Sequence, residues 1–280
     1  MRFKRFSGIL VFLCLAFLAT AQIRDFVPVV RPVYHAETVA FLEKLSASMK
    51  DDGYDEAASL IKSYAEGGFG SGFVILSPDG SPYVVTNRHV VSQAASITVE
   101  FQKADESTVT YKNCQIVAVD EDLDLALVAL PKGAGPFKSG LAFAAERSED
   151  GAEVWSAGYP GLGSEPSWQL GKGNVTNAIA KIPELADPAV TTLIQHSAQI
   201  DPGNSGGPLL VADKSAPAGY RVIGINTWKA YDRQATNFAI PAAAIKRFID
   251  SSLAKATGTA AQSPILEGRC KDFIGAAVGK

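Results

Sequence analysis

Three short strings in this sequence carry side chains suited to acyl transfer. The first is Asp201-Pro202-Gly203-Asn204-Ser205-Gly206-Gly207-Pro208. A serine flanked by glycines can sit on a tight turn that exposes its hydroxyl, and such a turn aims successive backbone N–H groups at one spot. Here the turn runs Gly203, Asn204, Ser205, and the N–H groups of Gly203 and Ser205 would form an oxyanion hole. One well-placed donor of that kind stabilises a transition state by about 3–4 kcal/mol. Standing alone, the string reads more readily as a glycine-rich turn with an incidental serine.

The second string is Val85-Thr86-Asn87-Arg88-His89-Val90-Val91, which puts a histidine at the end of an apolar strand. Held rigidly at a cleft rim, His89 could act as a general base, although an isolated histidine fills many other roles. The third is Val119-Asp120-Glu121-Asp122-Leu123-Asp124-Leu125-Ala126-Leu127. Most acids in such a run form a solvated turn. Asp124 differs because Leu123, Leu125 and Leu127 alternate with it and should draw it into a strand. A carboxylate placed there can accept from a histidine N–H and fix its tautomer. Asp122 is the second choice for that role.

The elements that must position these groups are mostly strands. Short apolar or alternating runs separated by turn residues occupy Phe73–Leu76, Tyr83–Thr86, Ile97–Phe101, Cys114–Val119, Leu125–Leu130 and Val154–Ala157. The pattern continues at Val175, Leu193–Ile194, Leu209–Val211 and Val222–Thr227. Ser77-Pro78-Asp79-Gly80 is a hairpin-turn signal. With no helical period between the strands, an all-β sandwich or barrel is expected rather than a parallel sheet. Before them, residues 22–35 read as an extended leader. Two helical patterns follow, Val39/Leu42/Leu45/Met49 and Ala57/Leu60/Ile61/Tyr64, split by Asp51-Asp52-Gly53. After the strands, Pro241 opens a helix with Ile245, Phe248, Ile249 and Leu253 on its apolar face.

The 280 residues carry a formal charge of −3 and no basic run, which argues against nucleic-acid binding. Arg2, Lys4 and Arg5, then the uncharged stretch Ile9–Leu18 and Ala19-Thr20-Ala21, read as a secretion signal over residues 1–21. Its apolar part is short for a membrane span. A periplasmic or secreted protein is therefore expected, with no stable membrane binding once the signal is removed. Cleavage would leave Cys114 and Cys270, which could be joined in an oxidising compartment or remain two thiols. No Cys/His cluster has metal-ligand spacing, so neither metal nor cofactor is expected.

Taken together, the three strings resemble trypsin-like serine proteases, most closely the HtrA-like branch. In that family Thr-Asn-x-His-Val carries the base, Asp-Leu-Ala the orienting acid and Gly-Asn-Ser-Gly-Gly-Pro the nucleophile. Here these strings stand at Thr86–Val90, Asp124–Ala126 and Gly203–Pro208, in the family's order. Gly70-Ser71-Gly72-Phe73, Gly158-Tyr159-Pro160-Gly161, Val222–Thr227 and Asn237–Pro241 look like further family strings. The resemblance implies two six-stranded antiparallel β-barrels over residues 67–250, with His89, Asp124 and Ser205 in the cleft between them. Outside that span the residues themselves read as a leader and helical segment at 22–66 and a helix end and tail at 251–280.

By family position Gln199 would sit at the base of the primary pocket, with Thr227, Trp228 and Lys229 along its wall. A neutral Gln199 implies no strict preference for Arg or Lys. The implied activity is hydrolysis of proteins or peptides outside the cytoplasm. The alternative is a protease-fold binding or chaperone-like protein with little turnover. Two departures stand out. Asn204 replaces the aspartate with which digestive members pair a newly cut N-terminus, and the residues after 250 are too few for the PDZ module usual in HtrA proteins. Residues 36–66 then become either an oligomerisation arm (or lid) or a cap on the first barrel.

Overall fold

The structure, a computed structural model, describes residues 22–256 apart from positions 104, 136, 163, 164, 231 and 232. The signal segment, Cys14, Cys270 and the tail beyond 256 lie outside the described residues, as does the side chain of Leu60.

Two barrels account for most of the chain. The first uses β1 (Val29–Val33), β2 (Gly70–Ser71), β3 (Phe73–Leu76), β4 (Pro82–Asn87), β5 (Ser96–Gln102), β6 (Thr108–Asp120) and β7 (Leu125–Ala129). Their order is β2-β1-β5-β6-β7-β4-β3. Only Gly72 separates β2 from β3, and its N–H donates to the Pro28 carbonyl at 3.0 Å. The run from Gly70 to Leu76 therefore nearly closes the sheet into a six-stranded barrel. On β5 the alternation is strict: Ile97, Val99 and Phe101 are buried, whereas the residues between them reach solvent in part.

The second barrel is closed, in the order β11-β12-β15-β14-β13-β8. It consists of β8 (Glu153–Gly158), β11 (Gln169–Ala180), β12 (Leu193–His196), β13 (Pro208–Ala212), β14 (Tyr220–Lys229) and β15 (Asn237–Pro241); the two-residue strands β9 (Gly161–Leu162) and β10 (Glu165–Pro166) pair outside it. Val154, Val175, Ile194, Leu209, Ile223 and Ala239 fill a core of its own. The terminal helix, Ala242–Ala256, buries Ala244, Ile245, Phe248 and Ile249 against strands of both barrels. That is the face its sequence period indicates.

The segment 22–66 is not a separate leader. Residues 29–33 form a barrel strand, pairing with β5 from Val29↔Glu100 to Val33↔Ser96 and with β2. Arg31 anchors it through Glu100 at 3.0 Å and lies 4.9 Å from the Phe69 ring centre. The prolines and scattered apolar residues hide this strand from periodicity, because its partners are about 70 residues away in sequence. Between β1 and β2 stand α1 (Ala36–Asp51) and α2 (Asp55–Ala65), packed on each other around Leu42 and Ile61. That small core is distinct from the barrel cores, so the hairpin's apolar contact is largely internal.

Candidate active site

The site begins with a turn. Between β6 and β7, Asp120 Oδ1 accepts the N–H groups of Asp122 at 3.1 Å and Leu123 at 2.9 Å, and Leu123 is buried. The chain then passes through Asp124 with φ of +51°, the left-handed region that aspartate tolerates better than most residues. Asp124 thus lies ahead of β7 rather than within a strand. The apolar residues around it do not alternate, since Leu123 and all of Leu125–Val128 are buried. Burial of the strand on both faces, not amphipathic alternation, places the carboxylate. Asp122 is exposed, and the imidazole bond goes to Asp124.

His89 is on a one-turn helix, α3 (Arg88–Val91), directly after β4, and is 9% exposed. Asp124 holds it twice: Oδ1 accepts the His89 backbone N–H at 2.8 Å, and Oδ2 lies 2.6 Å from Nδ1. A carboxylate at that distance sets Nδ1 as the protonated nitrogen and leaves Nε2 with its lone pair. The Asp124 carbonyl accepts from Arg88 N–H and from Asn87 Nδ2, both at 3.0 Å. Asn87 Nδ2 also reaches Thr227 Oγ1 at 3.0 Å, tying the histidine-bearing strand to the second barrel.

Ser205 lies on the turn entering β13. The Asn204 N–H donates to Asp201 O at 2.9 Å and the Gly207 N–H to Asn204 O at 3.0 Å. Gly161 N–H holds Pro202 O at 2.9 Å, Ser71 Oγ holds Gly203 O at 2.7 Å, and Ser71 N–H holds Ser205 O at 2.8 Å. In a trans peptide the N–H points opposite the C=O. The N–H groups of Gly203 and Ser205 therefore face away from these clamps, and no acceptor among the described residues meets them. Gly203 has φ of +102°, and an added Cβ would stand 2.3 Å from the Tyr159 carbonyl oxygen, so only glycine fits.

The two halves meet closely. A Cβ on Gly206 would touch Ser71 O at 2.2 Å and Thr86 Oγ1 at 2.3 Å, so the nucleophile turn presses on the end of β4. Asn226, buried on β14, secures its far side through N–H to Gly207 O at 2.9 Å and through C=O to Gly206 N–H at 2.9 Å. A Cβ on Gly70 would stand 2.6 Å from Val90 Cγ2 and 2.9 Å from Ser205 O, so the serine turn and α3 flank the same glycine.

The residues expected around the primary pocket divide. Gln199 is exposed and its Nε2 donates to Asp201 Oδ2 at 2.8 Å. Lys229 Nζ lies 2.7 Å from Asp201 Oδ1, with the two side chains 35% and 33% exposed. Thr227 is buried and serves Asn87, and Trp228 is half-buried. The charge on Lys229 is thus paired with an aspartate that sequence reasoning passed over. His196 is buried away from solvent on β12, and burial pushes its pKa down to about 3. Cys114 is buried, its thiol pushed up to about 11 by desolvation, and Cys270, its partner in one of the two readings left open, lies outside the described residues. Sequence reasoning also passed over the roles of Ser71 and Asn87, although both fall within motif strings.

A model of the trypsin-like peptidase domain matches residues 70–225. Serine protease Do-like HtrA of Bacillus subtilis is 29% identical over 220 residues, covering 76% of this chain and 46% of that one. The protein of the same name from Lactobacillus helveticus is 32% identical over 223 residues, covering 76% and 50%. The chain therefore spans about half the length of these relatives. Among solved structures, the active form of the Rv3671c protease from M. tuberculosis shares the fold, with a TM-score of 0.56, 23% identity and coverage of 96% and 99%. The serine endoprotease from Yersinia pestis also has a TM-score of 0.56, at 22% identity and coverage of 84% and 65%. With the family model spanning more than half of its residues, the chain is a member of the trypsin-like peptidase domain family.

Proposed function

We propose that this protein is a serine endopeptidase that cleaves proteins or peptides outside the cytoplasm, with Ser205 as nucleophile, His89 as base and Asp124 as orienter. The observations that support this reading are the double hold of Asp124 on His89 and, separately, a serine turn whose two N–H donors meet no acceptor among the described residues. Ser205 Oγ attacks the scissile carbonyl carbon while His89 Nε2 takes its proton. The developing oxyanion is received by the N–H groups of Gly203 and Ser205. The tetrahedral intermediate collapses to an acyl-enzyme as His89 returns the proton to the leaving amine. Water, deprotonated by His89, attacks the acyl carbon, and His89 returns that proton to Ser205 Oγ as the acid product leaves. Asp124 stabilises the imidazolium without taking the proton.

Location outside the cytoplasm rests on the secretion signal at residues 1–21. The helical hairpin, with Phe41 50% and Tyr54 62% exposed, is the surface through which copies of the chain would associate. The reading against a pure binding protein is supported by the unengaged donors, which binding alone does not require. The test is labelling of the purified mature protein with a fluorophosphonate probe. Labelling at Ser205 that vanishes in Ser205→Ala and falls at least about 10³-fold in rate in His89→Ala is expected. A folded wild type that resists the probe would sink the reading.

A further inference from the structure

Ser71 has no exposed surface, yet all its polar groups are engaged around the nucleophile turn. Its Oγ donates to Gly203 O at 2.7 Å and accepts the Tyr159 N–H at 2.9 Å. Its backbone N–H donates to Ser205 O at 2.8 Å, and its carbonyl accepts Thr86 Oγ1 at 2.7 Å. One residue thus grips the peptide on each side of Asn204–Ser205 and joins it to the strand leading to His89.

We propose that Ser71 is a positioning residue for the acyl-transfer step: its hydroxyl sets the direction in which the Gly203 N–H faces the reacting carbonyl. This rests on the peptidase reading above. Gly203 is the pivot of the turn, at φ of +102°, and has no side chain to resist rotation. The peptide plane after it is fixed by Ser71 Oγ on Gly203 O. The plane before it, which carries the Gly203 N–H, is fixed by Gly161 N–H on Pro202 O. Gly161 is placed in turn by the segment from Tyr159, whose N–H ends on the same Ser71 Oγ. The hydroxyl therefore governs both planes, one directly and one through residues 159–161. Without it Gly203 O and Tyr159 N–H lose their partner in a buried site, and rotation of the turn toward other acceptors becomes the favoured relief.

The test compares wild type, Ser71→Ala and Ser71→Thr, the last retaining a hydroxyl. Three quantities are read: kcat and KM on a chromogenic peptide, affinity for a peptide boronate that forms a tetrahedral adduct on Ser205, and thermal midpoint. In Ser71→Ala, kcat and boronate affinity should both fall about 10–100-fold, within the 10²–10³ range for loss of an oxyanion donor. KM should stay within about threefold, and the apparent pKa of the kcat profile should not move, because the His89–Asp124 pair is untouched. Ser71→Thr should recover most of the loss. If Ser71→Ala does not fold, Ser71→Cys, close in shape with a weak donor, carries the same comparison. A folded Ser71→Ala or Ser71→Cys with boronate affinity and kcat within twofold of wild type would overturn the inference alone. A wild type without turnover or probe labelling would overturn the peptidase reading and this inference with it.

Discussion

Acidification from pH 7 to pH 5 should weaken the fold through one side chain, His196, by about 2 kcal/mol. The imidazole lies on β12 inside the second barrel, with no exposed surface. Neither ring nitrogen has a hydrogen-bond partner among the described residues. Desolvation, opposed by the nearby Ala198 backbone, pushes its pKa from 6.5 down to about 3. Between those two values the unfolded chain binds a proton that the folded chain does not. Stability is therefore complete above about pH 6.5 and falls with decreasing pH, at up to about 1.4 kcal/mol per unit. Serine hydrogen bonds hold the Asp79, Asp105 and Asp213 carboxyls below the usual carboxylate range, so they are silent in this window. The assay is urea unfolding at pH 7, 6 and 5 in a Ser205→Ala background that prevents self-digestion. Each preparation is compared with one that also carries His196→Leu, which fills a similar volume and does not titrate. The wild-type histidine should show the loss and the leucine variant should be flat. Equal slopes in the two would refute the reasoning, because the proton uptake would belong to another group.

Two further outcomes follow from pairs described above. Lys229 and Asp201 neutralise each other where the family resemblance expects the primary pocket. Releasing either partner should therefore shift cleavage preference by about fivefold, the worth of roughly 1 kcal/mol for a partly exposed pair. Lys229→Met should favour Arg or Lys ahead of the scissile bond and Asp201→Asn should favour Glu or Asp, as read from a peptide library; identical profiles would exclude the pair from specificity. Leu42→Ala should destabilise the α1–α2 hairpin by about 2–5 kcal/mol while sparing the barrels, because Leu42 and Ile61 form their own core. Limited proteolysis should then cut within residues 36–66 at an unchanged global midpoint, whereas a lowered midpoint without new cuts would show one cooperative unit.

What the sequence made legible and what it hid differ in range along the chain. Strands such as Phe73–Leu76 and Ser96–Gln102 stand out because their burial repeats every residue or every second residue. The helix at Ala242–Ala256 stands out because Ile245, Phe248 and Ile249 share one face. The strand Val29–Val33 does not, since what makes it a strand is pairing with Ser96–Glu100. The left-handed conformation of Asp124 was equally invisible. Its three leucine neighbours suggest alternation, whereas the strand after it is buried on both faces. At the site, each string alone favours a structural role, and it is the three read together, through their resemblance to the trypsin-like family, that point to His89, Asp124 and Ser205. Asp201 and Ser71 are common residue types whose roles come from contacts spanning 28 and 132 positions.

That long-range holding explains why the turn at Ser205 can form around Asn204 rather than an aspartate. Asn204 is 1% exposed, and its amide donates to the neutral Gln169 Oε1 at 3.0 Å. A carboxylate there would carry a desolvation cost of several kcal/mol unless a cation followed it into the site. The neutral amide avoids that requirement. The work of shaping the turn passes to backbone and hydroxyl bonds from residues 71, 161 and 226. These segments belong to both barrels, so the geometry at Gly203 and Ser205 is set by docking one barrel on the other. Whatever loosens that docking, at Ser71, Asn87 or Asn226, should be felt first in transition-state stabilisation and only later in global stability.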